Sequence, residues 1–279
     1  MKISTLSALY ARYPLEKVFE IVSSQGYDGL ELWGGRPHAF PRDVLRSGGE
    51  DILRWKEQYG LDIPMYSPGL MGYPFNVTSQ DTLEREETVQ HLLQGLDAAK
   101  LLGCPRVLVN CTHSIWGCTR AQSNENIRRS LAPIVEHAEK IGVDIVVELL
   151  TPMESNIVYR LYEIVDLLEY FDSPRLKTML DNATPMCAWE PYSEHFETLG
   201  EKIDFIHFVD VNGINQSHRP LGTGILDLPT LLRIHRRYGY DGWYGLEILV
   251  AGEQEPELCS AREIRVFRAL LREVEEENV

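Results

Sequence analysis

Short apolar runs and longer amphipathic segments alternate along the whole chain. The short runs are five to eight residues long, rich in β-branched and aromatic side chains, and bounded by glycine, proline or polar residues. Runs of this kind are typical of strands buried on both faces of a sheet. They predict strands at Lys2–Leu9, Gly29–Trp33, Leu61–Tyr66, Arg106–Asn110, Val143–Val147, Leu176–Leu180, Ile203–Val209 and Tyr244–Leu249.

The segments between these runs carry apolar residues at helical spacing. They predict helices at Pro14–Gly26, Glu50–Tyr59, Gln80–Leu102, Glu125–Ile141, Ile157–Tyr170, Pro191–Leu199, Leu228–Tyr238 and Ser260–Val274. Alternating strands and helices indicate a parallel sheet. Eight such units in 279 residues fit one closed α/β barrel, a single (β/α)8 TIM barrel over residues 1–279, better than an open doubly wound sheet. Neither GxGxxG nor GxxxxGK[ST] is present, so a dinucleotide or P-loop site has no support.

One strand ends in a carboxylate that needs an explanation. The segment 143–156 reads VDIVVELLTPMESN, so that an apolar run leads directly to Glu148, and a Thr-Pro break leads to a second acid, Glu154. A charge at the end of a buried strand is costly unless a metal ion, an ion pair or a substrate compensates it. Alone, Glu148 is more simply explained as a helix cap or a loop salt bridge.

A side chain able to bind a metal ion also stands at or near the end of each of the next three strands. Asp181 ends LKTMLD, His207 lies in IDFIHFVD, and Glu247 lies in WYGLEIL, at separations of 33, 26 and 40 residues from Glu148 onwards. In a barrel these positions are strand C-terminal ends, where barrel active sites lie, about 4.8 Å apart on neighbouring strands. We therefore predict that Glu148, Asp181, His207 and Glu247 bind one divalent ion. Three carboxylates and one imidazole favour Mn²⁺, with Mg²⁺, Co²⁺ or Zn²⁺ as alternatives.

Other polar residues lie close to these strand ends in sequence. Asp210 is a candidate second-shell residue that would orient the ring of His207. Glu154, six residues after Glu148, is a candidate to reach a substrate hydroxyl. His113 and His38 end or follow strands and are candidates to line the pocket. For His38, a solvent-facing loop position is an equally good interpretation.

Composition narrows the class of partner. The net charge is −15, from 42 acidic and 27 basic residues, which disfavours nucleic acid and anionic membranes as partners. The five cysteines are scattered without a Cys-x-x-Cys pair, as expected in a reducing cytoplasm. No segment has the roughly 18 apolar residues of a membrane span, and the N-terminus does not resemble a secretion signal. These features predict a cytoplasmic protein.

With these residues in place, the whole chain resembles the xylose isomerase-like sugar isomerases and epimerases. Three segments most resemble the fructoselysine 3-epimerase branch of that superfamily: GYDGLELWGGRPHAF at 26–40, ELLTPMESNIV at 148–158, and the HFVDVNG…SHRPLGTG region at 207–224. The WGGRPHAF run, which contains Trp33 and His38, is the most specific of them.

The resemblance implies a metal-dependent isomerase that inverts C3 of a ketose or a ketose–amine adduct. The metal would acidify the C3 hydrogen by stabilising an enediolate, and Glu148 and Glu247 would exchange protons on opposite faces of the sugar. Glu154 would bind the O1/O2 end. Trp33, His38, His113, His218 and Arg219 are the further candidate substrate contacts. The partner is then a small sugar or sugar-amine, and relatives are commonly homodimers or tetramers.

The chain departs from relatives that act on free ketoses. Those carry a histidine where this chain has Thr184, and an arginine where it has His218, with Arg219 next to it; Leu221 replaces their proline. These changes count against tagatose or psicose as substrates. Alternatives that the sequence leaves open are a free-ketohexose 3-epimerase, an aldose–ketose or inosose isomerase on the same metal site, an abasic-site nuclease, and a binding barrel without catalysis. The acidic charge counts against the nuclease, and the presence of both Glu148 and Glu247 counts against the binding barrel.

Overall fold

Eight parallel strands close into a barrel in chain order, as seen in a computed structural model that describes residues 1–214, 218–248 and 254–276. The predicted (β/α)8 fold is confirmed. The strands are β1 Lys2–Leu6, β2 Gly29–Trp33, β3 Tyr66–Ser67, β4 Arg106–Asn110, β5 Asp144–Glu148, β6 Leu176–Asp181, β7 Ile203–His207 and β8 Trp243–Leu246.

Helices surround the barrel, and most of them join one strand to the next. They are α1 Leu15–Ser24, α2 Pro41–Ser47, α3 Glu50–Tyr59, α4 Thr82–Leu101, α5 Arg120–Ile141, α6 Leu161–Phe171, α7 Ala183–Ala188, α8 Tyr192–Leu199, α9 Leu228–Arg237 and α10 Pro256–Glu276. No helix in the described part of the chain combines the length and apolar character needed to cross a bilayer.

The third strand is much shorter than predicted and lies at the end of the predicted segment. Asp62 forms only an isolated parallel bridge with Gly29, and the regular strand starts at Tyr66. Pro64 lies between them and has no N–H to donate, so it interrupts the ladder of hydrogen bonds. The prediction of a strand over Leu61–Tyr66 was therefore wrong in its bounds, although the segment does run alongside β2.

Three other strands end earlier than predicted. The first ends at Leu6, because Ser7–Tyr10 form a 3-10 turn that bends the chain towards α1. The seventh ends at His207, after which Asp210 pairs antiparallel with Arg219 and reverses the chain. The eighth ends at Leu246; the predicted end at Leu249 lies outside the described residues, as do the last three residues of the predicted domain.

Three helix starts differ from prediction by four or five residues. α10 begins at Pro256, four residues before the predicted Ser260. In the other two helices, capping groups and not apolar spacing determine the first residue. α5 begins five residues earlier than predicted because the Thr119 side chain and Gln122 form a capping box. α6 begins four residues later than predicted because Glu163 accepts hydrogen bonds from the backbone N–H groups of Tyr159 and Arg160. The short helices α2 and α7 were not predicted.

A buried aromatic cluster packs around His235 of α9. One ring nitrogen lies 2.8 Å from the Tyr192 hydroxyl and the other 3.1 Å from the Tyr244 hydroxyl. Because the Tyr192 hydroxyl donates to Asn182, the His235 Nε2–H donates to Tyr192 and Nδ1 accepts from Tyr244. Burial lowers the pKa of His235 from 6.5 to about 3, so this arrangement requires the neutral ring.

This histidine should make the fold sensitive to acid. Below about pH 6.5 the unfolded chain binds a proton at His235 that the folded chain does not, so the free energy of unfolding falls by about 1.4 kcal/mol per pH unit down to about pH 3. We expect His235→Asn to be less stable at pH 7 and to lose less stability between pH 6.5 and 4. Urea unfolding at a series of pH values measures how the free energy of unfolding of the wild type and of His235→Asn changes with pH. The same slope in both proteins would contradict the neutral state assigned to His235.

Candidate metal centre and active site

The four residues predicted to share an ion meet at the C-terminal mouth of the barrel. Glu148, Asp181 and His207 are the last residues of β5, β6 and β7, and Glu247 directly follows β8. Parallel register sets Asp181 opposite His207, and His207 opposite Gly245. One potential ligand atom from each of the four residues lies within 4.8 Å of the others, and all four residues are buried.

His207 Nδ1 lies at the centre of this group. It is 3.0 Å from Glu247 Oε2, 3.3 Å from Glu148 Oε1 and 4.0 Å from Asp181 Oδ2. Despite these short distances, Nδ1 and Asp181 Oδ2 are buried without a properly aligned hydrogen bond among the described residues. A nitrogen lone pair and three carboxylates facing one point repel each other unless a positive charge lies between them.

The other nitrogen of His207 is held from behind by Glu31 of β2. Nε2 lies 3.0 Å from Glu31 Oε2, and Ser4 donates to the other oxygen of Glu31 at 3.0 Å. A carboxylate only accepts hydrogen bonds, so Nε2 carries a proton and Nδ1 is left facing the cluster. A Cβ at Gly245 would overlap the Glu31 carboxylate, so the glycine makes room for it. Sequence reasoning missed Glu31; its signal was a buried acid inside the apolar strand GLELW.

The prediction that Asp210 orients His207 was wrong. Its carboxylate accepts hydrogen bonds from the backbone N–H groups of Val211, Gly222, Gly224 and Leu226, at 2.8 to 3.2 Å. Asp210 therefore ties together the loop between β7 and α9. The N–H groups of that loop offer the carboxylate several aligned donors, whereas Glu31 lies against the histidine.

The structure separates the two neighbouring candidates His218 and Arg219. The His218 ring is buried, with Nε2 3.3 Å from Asp181 Oδ2 and Nδ1 3.2 Å from Glu247 Oε2. Arg219 is exposed, and its backbone pairs with Asp210. His218 is thus the residue of this pair that adjoins the candidate metal centre.

Glu148, the last residue of β5, and Glu154, on the loop that follows it, occupy different environments. Glu148 Oε2 accepts a hydrogen bond from Asn110 Nδ2 at 2.5 Å, which leaves Oε1 towards His207. Glu154 Oε2 accepts from the N–H and hydroxyl of Thr151 at 3.1 and 2.7 Å. Burial, reinforced by the charge of Glu148, raises the pKa of Glu154 to about 7. Glu154 is therefore suited to holding a proton near neutral pH.

The remaining candidates lie at the end of β2 and on the loops after β2 and β4. His38 directs Nε2 at the Tyr13 carbonyl, 3.1 Å away, and packs edge-on against Trp33 with ring centroids 5.8 Å apart. Trp33 is half-buried and closes the end of β2. The His113 side chain is exposed on the loop after β4, and its carbonyl accepts from Asn76.

Two of the three positions that depart from free-ketose enzymes, Thr184 and Leu221, have structural roles. Thr184 is fully buried, and its hydroxyl donates to the Leu149 carbonyl at 2.6 Å. Leu221 is buried, and its N–H donates to Glu263 of α10 at 2.8 Å. Neither side chain offers a charge or a ring nitrogen to a ligand.

The electrostatics of the cluster indicate a cation. Burial raises the pKa of Asp181 to about 6, although the charges of His218 and His207 oppose the rise. Burial also disfavours ionised Glu247, but the two histidines outweigh it and hold its pKa well below the ordinary value. Burial disfavours charged histidine as well, yet the neighbouring carboxylates raise the pKa of His218 to about 9 and hold the pKa of His207 well above its ordinary value. The residues attract positive charge from any source, and their oxygen-rich donor set fits a hard divalent ion.

Comparison with known proteins places this geometry in a family. A family model described as xylose isomerase-like TIM barrel matches residues 19–270. The chain belongs to this family. It is 34% identical over 283 residues to the fructoselysine 3-epimerase of Escherichia coli O157:H7, a match that covers 99% of this chain and 100% of the relative.

Solved structures show the same fold. A D-tagatose 3-epimerase-like protein aligns with a TM-score of 0.84 at 20% identity and covers 100% of both chains. An L-ribulose 3-epimerase aligns with a TM-score of 0.80 at 18% identity and covers 100% of this chain and 98% of its own. The family predicted from the residues is confirmed.

Proposed function

We propose that this chain, as one barrel domain over residues 1–279, is a divalent-metal-dependent 3-epimerase of a ketose–amine adduct of the fructoselysine type. The observation that carries the proposal is the meeting of Glu148, Asp181, His207 and Glu247 within 4.8 Å, in a chain 34% identical over its length to an enzyme named fructoselysine 3-epimerase. Two glutamates and two further donors at one mouth are what metal-assisted proton transfer at carbon requires.

The four cluster residues would hold the ion, with Mn²⁺ as the first expectation and Mg²⁺, Co²⁺ and Zn²⁺ as alternatives. When bound, the ion supplies Lewis acidity, which draws electrons from the substrate's carbonyl and hydroxyl oxygens and acidifies the C3 hydrogen. Asp181 and His207 serve only as ligands in this scheme. Glu31 keeps the proton of His207 on Nε2, so that Nδ1 is the ligating atom.

The protein residues carry the proton transfers. One of Glu148 and Glu247 removes the C3 proton, and the other delivers a proton to the opposite face, which inverts the centre. Asn110 holds one oxygen of Glu148, so the other oxygen is the one available for transfer. Glu154 would donate a hydrogen bond to O2 at the C1/C2 end of the sugar, where the amine of the adduct takes the place of O1, and His218 would contact a substrate oxygen beside the ion.

Thr184 and His218 favour an adduct over a free ketohexose. Free-ketose relatives have histidine and arginine at these positions, and here the first is a buried threonine bonded to a backbone carbonyl. The expected partner is therefore a small sugar-amine. Homo-oligomeric assembly and a cytoplasmic location remain part of the proposal.

A substrate screen tests the proposal directly. Purified enzyme with added Mn²⁺ is incubated in D₂O with fructosamine-type adducts, free ketohexoses and inososes, and deuterium is located by NMR. We expect label at C3 with inversion, and the highest kcat/KM for the adducts. Label at C1 or C2 alone would instead indicate an aldose–ketose isomerase, and exclusive turnover of free ketohexoses would contradict the adduct assignment.

Glu31 provides a test that does not depend on knowing the substrate. Glu31→Gln keeps the size of the side chain but removes the charge that faces His207 Nε2, so we expect Mn²⁺ to bind about 10- to 100-fold more weakly. Isothermal titration of the metal-free protein measures this. Glu16→Gln, on the exposed face of α1, is the matched control and should bind Mn²⁺ like the wild type. Unchanged affinity in Glu31→Gln would refute the orienting role.

A further inference from the structure

One completely buried carboxylate, Glu263 of α10, lies outside the group of side chains that the proposed mechanism uses. Burial raises its pKa to about 7, although its hydrogen-bond partners oppose the rise. Because the folded chain then binds this proton more tightly than the unfolded chain, the side chain lowers the stability of the fold as the pH rises from about 4.5 to 7. A buried charge that costs stability indicates a role in holding another group in place.

The group that Glu263 holds is the backbone of Leu221, on the loop after β7. Glu263 Oε2 accepts a hydrogen bond from the Leu221 N–H at 2.8 Å. The neighbouring residue Arg262 donates one bond of 2.8 Å to the Leu221 carbonyl and another of 2.5 Å to Glu263 Oε1. Two adjacent residues of one helix therefore bind both backbone polar groups of one loop residue. We name these three residues the α10 anchor.

The α10 anchor fixes a segment that would otherwise be tied mainly to itself. Leu221 lies three residues after His218, and the next turn of the loop is held by Asp210, which accepts from the N–H groups of Gly222 and Gly224 at 3.0 and 2.8 Å. Asp210 belongs to the same loop, three residues after the end of β7. Its hydrogen bonds join two parts of that loop, whereas the α10 anchor joins the loop to a helix of the outer shell.

The helix that provides the anchor is packed firmly on the barrel. Phe267, one turn after Glu263, is completely buried, and its ring contacts Phe208 and Tyr244 with centroids 5.0 and 5.1 Å apart. Phe208 directly follows β7, and Tyr244 lies in β8. The anchor therefore fixes the loop relative to two of the strands that carry the candidate metal ligands.

The residue that depends on this loop position is His218. Its buried ring lies between two carboxylates of the candidate metal centre, 3.3 Å from Asp181 Oδ2 and 3.2 Å from Glu247 Oε2. A shift of about 1 Å would take the ring out of reach of one or both, and a misplacement of that size can slow a reaction about a hundredfold.

We propose that Glu263 is a positioning residue, which acts through the Leu221 backbone to hold His218 against the candidate metal centre. Glu263 itself touches no substrate. The consequence for catalysis rests on the proposed function, because it requires His218 to contact the substrate. The attachment of the loop to α10 does not depend on that function and is tested separately.

Hydrogen exchange of residues 218–226, followed by mass spectrometry in substrate-free protein with Mn²⁺, tests the attachment. Glu263→Leu removes the acceptor of the Leu221 N–H, so we expect this segment to exchange about 10-fold faster or more. Glu263→Gln keeps an oxygen that accepts the same bond and should exchange like the wild type. Glu273→Leu, the same change on the exposed side of α10, is the matched control and should also match the wild type. Unchanged exchange in Glu263→Leu overturns the proposal.

A second apolar variant covers the case in which Glu263→Leu does not fold. Glu263→Met has a longer, more flexible side chain that adapts to the same buried space, and it too lacks an acceptor for the Leu221 N–H. We expect faster exchange in the segment 218–226 and unchanged exchange in the barrel strands. Faster exchange everywhere would show a general loss of stability and overturn the positioning role.

Kinetics with the adduct that the wild type epimerises best test whether the anchor acts through His218. We expect Glu263→Leu to lower kcat/KM about 10- to 100-fold and Glu263→Gln to stay close to the wild type. In the His218→Asn background, Glu263→Leu should cause no further loss, because both changes remove the same contact. Losses that add fully overturn the proposal. A wild type that epimerises no adduct refutes the proposed function, and hydrogen exchange then still decides the attachment.

Discussion

We expect Glu148→Gln and Glu247→Gln each to lower the rate of C3 epimerisation by at least about a thousandfold, because each removes one of the two groups that exchange protons with carbon and also weakens a metal ligand. Glutamine has nearly the same size and bonds to the same neighbours, so both variants should fold. Glu148 is packed between Asn110 and His207, and Glu247 lies against His207. A glutamine of the same shape therefore fits at either position.

The stereochemistry of the residual reaction makes this test sharper. In a two-base scheme each glutamate serves one face of the sugar, so any exchange that survives in D₂O should be confined to one C3 epimer in Glu148→Gln and to the other in Glu247→Gln. Starting separately from the two epimeric adducts and following deuterium at C3 by NMR measures this. Glu57→Gln, on the exposed face of α3, serves as the control and should keep full activity. Wild-type epimerisation in either active-site variant would disprove the two-base mechanism.

Removal of divalent metal should have the second large effect. We expect EDTA treatment followed by gel filtration to leave less than about 1% of the activity, and one equivalent of Mn²⁺ per chain to restore it, because three buried carboxylates and His207 otherwise face one another without a cation. A ligand that binds only the folded state at 100 times its Kd stabilises that state by about 2.7 kcal/mol. Mn²⁺ should therefore also raise the Tm of the metal-free protein by several degrees.

Asp181→Asn separates metal binding from the proton-transfer groups. Asp181 is a proposed ligand without a proposed proton to move, so its replacement should abolish the Mn²⁺-induced rise in Tm together with the activity. Glu57→Gln should show the full rise. Full activity after EDTA treatment, with no metal found by elemental analysis, would refute the metal site.

The fold and the candidate ligands were largely predictable because their signals are local. Each strand is a short apolar run, and Glu148, Asp181, His207 and Glu247 each stand at or just beyond the end of one. In a barrel whose strands follow chain order, residues at successive strand ends are neighbours whatever the loops do. The errors occurred where backbone chemistry overrides side-chain pattern, as at Pro64 in the third strand and at the Thr119 capping box that starts α5.

The amino-acid sequence by itself determined the (β/α)8 barrel and the set of acids and histidine around its mouth, because hydrophobic periodicity and strand-end position are properties of short segments. Only the tertiary structure decided that Glu31, and not Asp210, holds His207, since that contact joins residues 176 positions apart and needs the space left by Gly245. The tertiary structure also decided between His218 and Arg219. These residues are adjacent in sequence, but the His218 side chain is buried beside the candidate metal centre and Arg219 is exposed to solvent. Contacts between distant segments depend on how the whole barrel packs, which no local pattern contains.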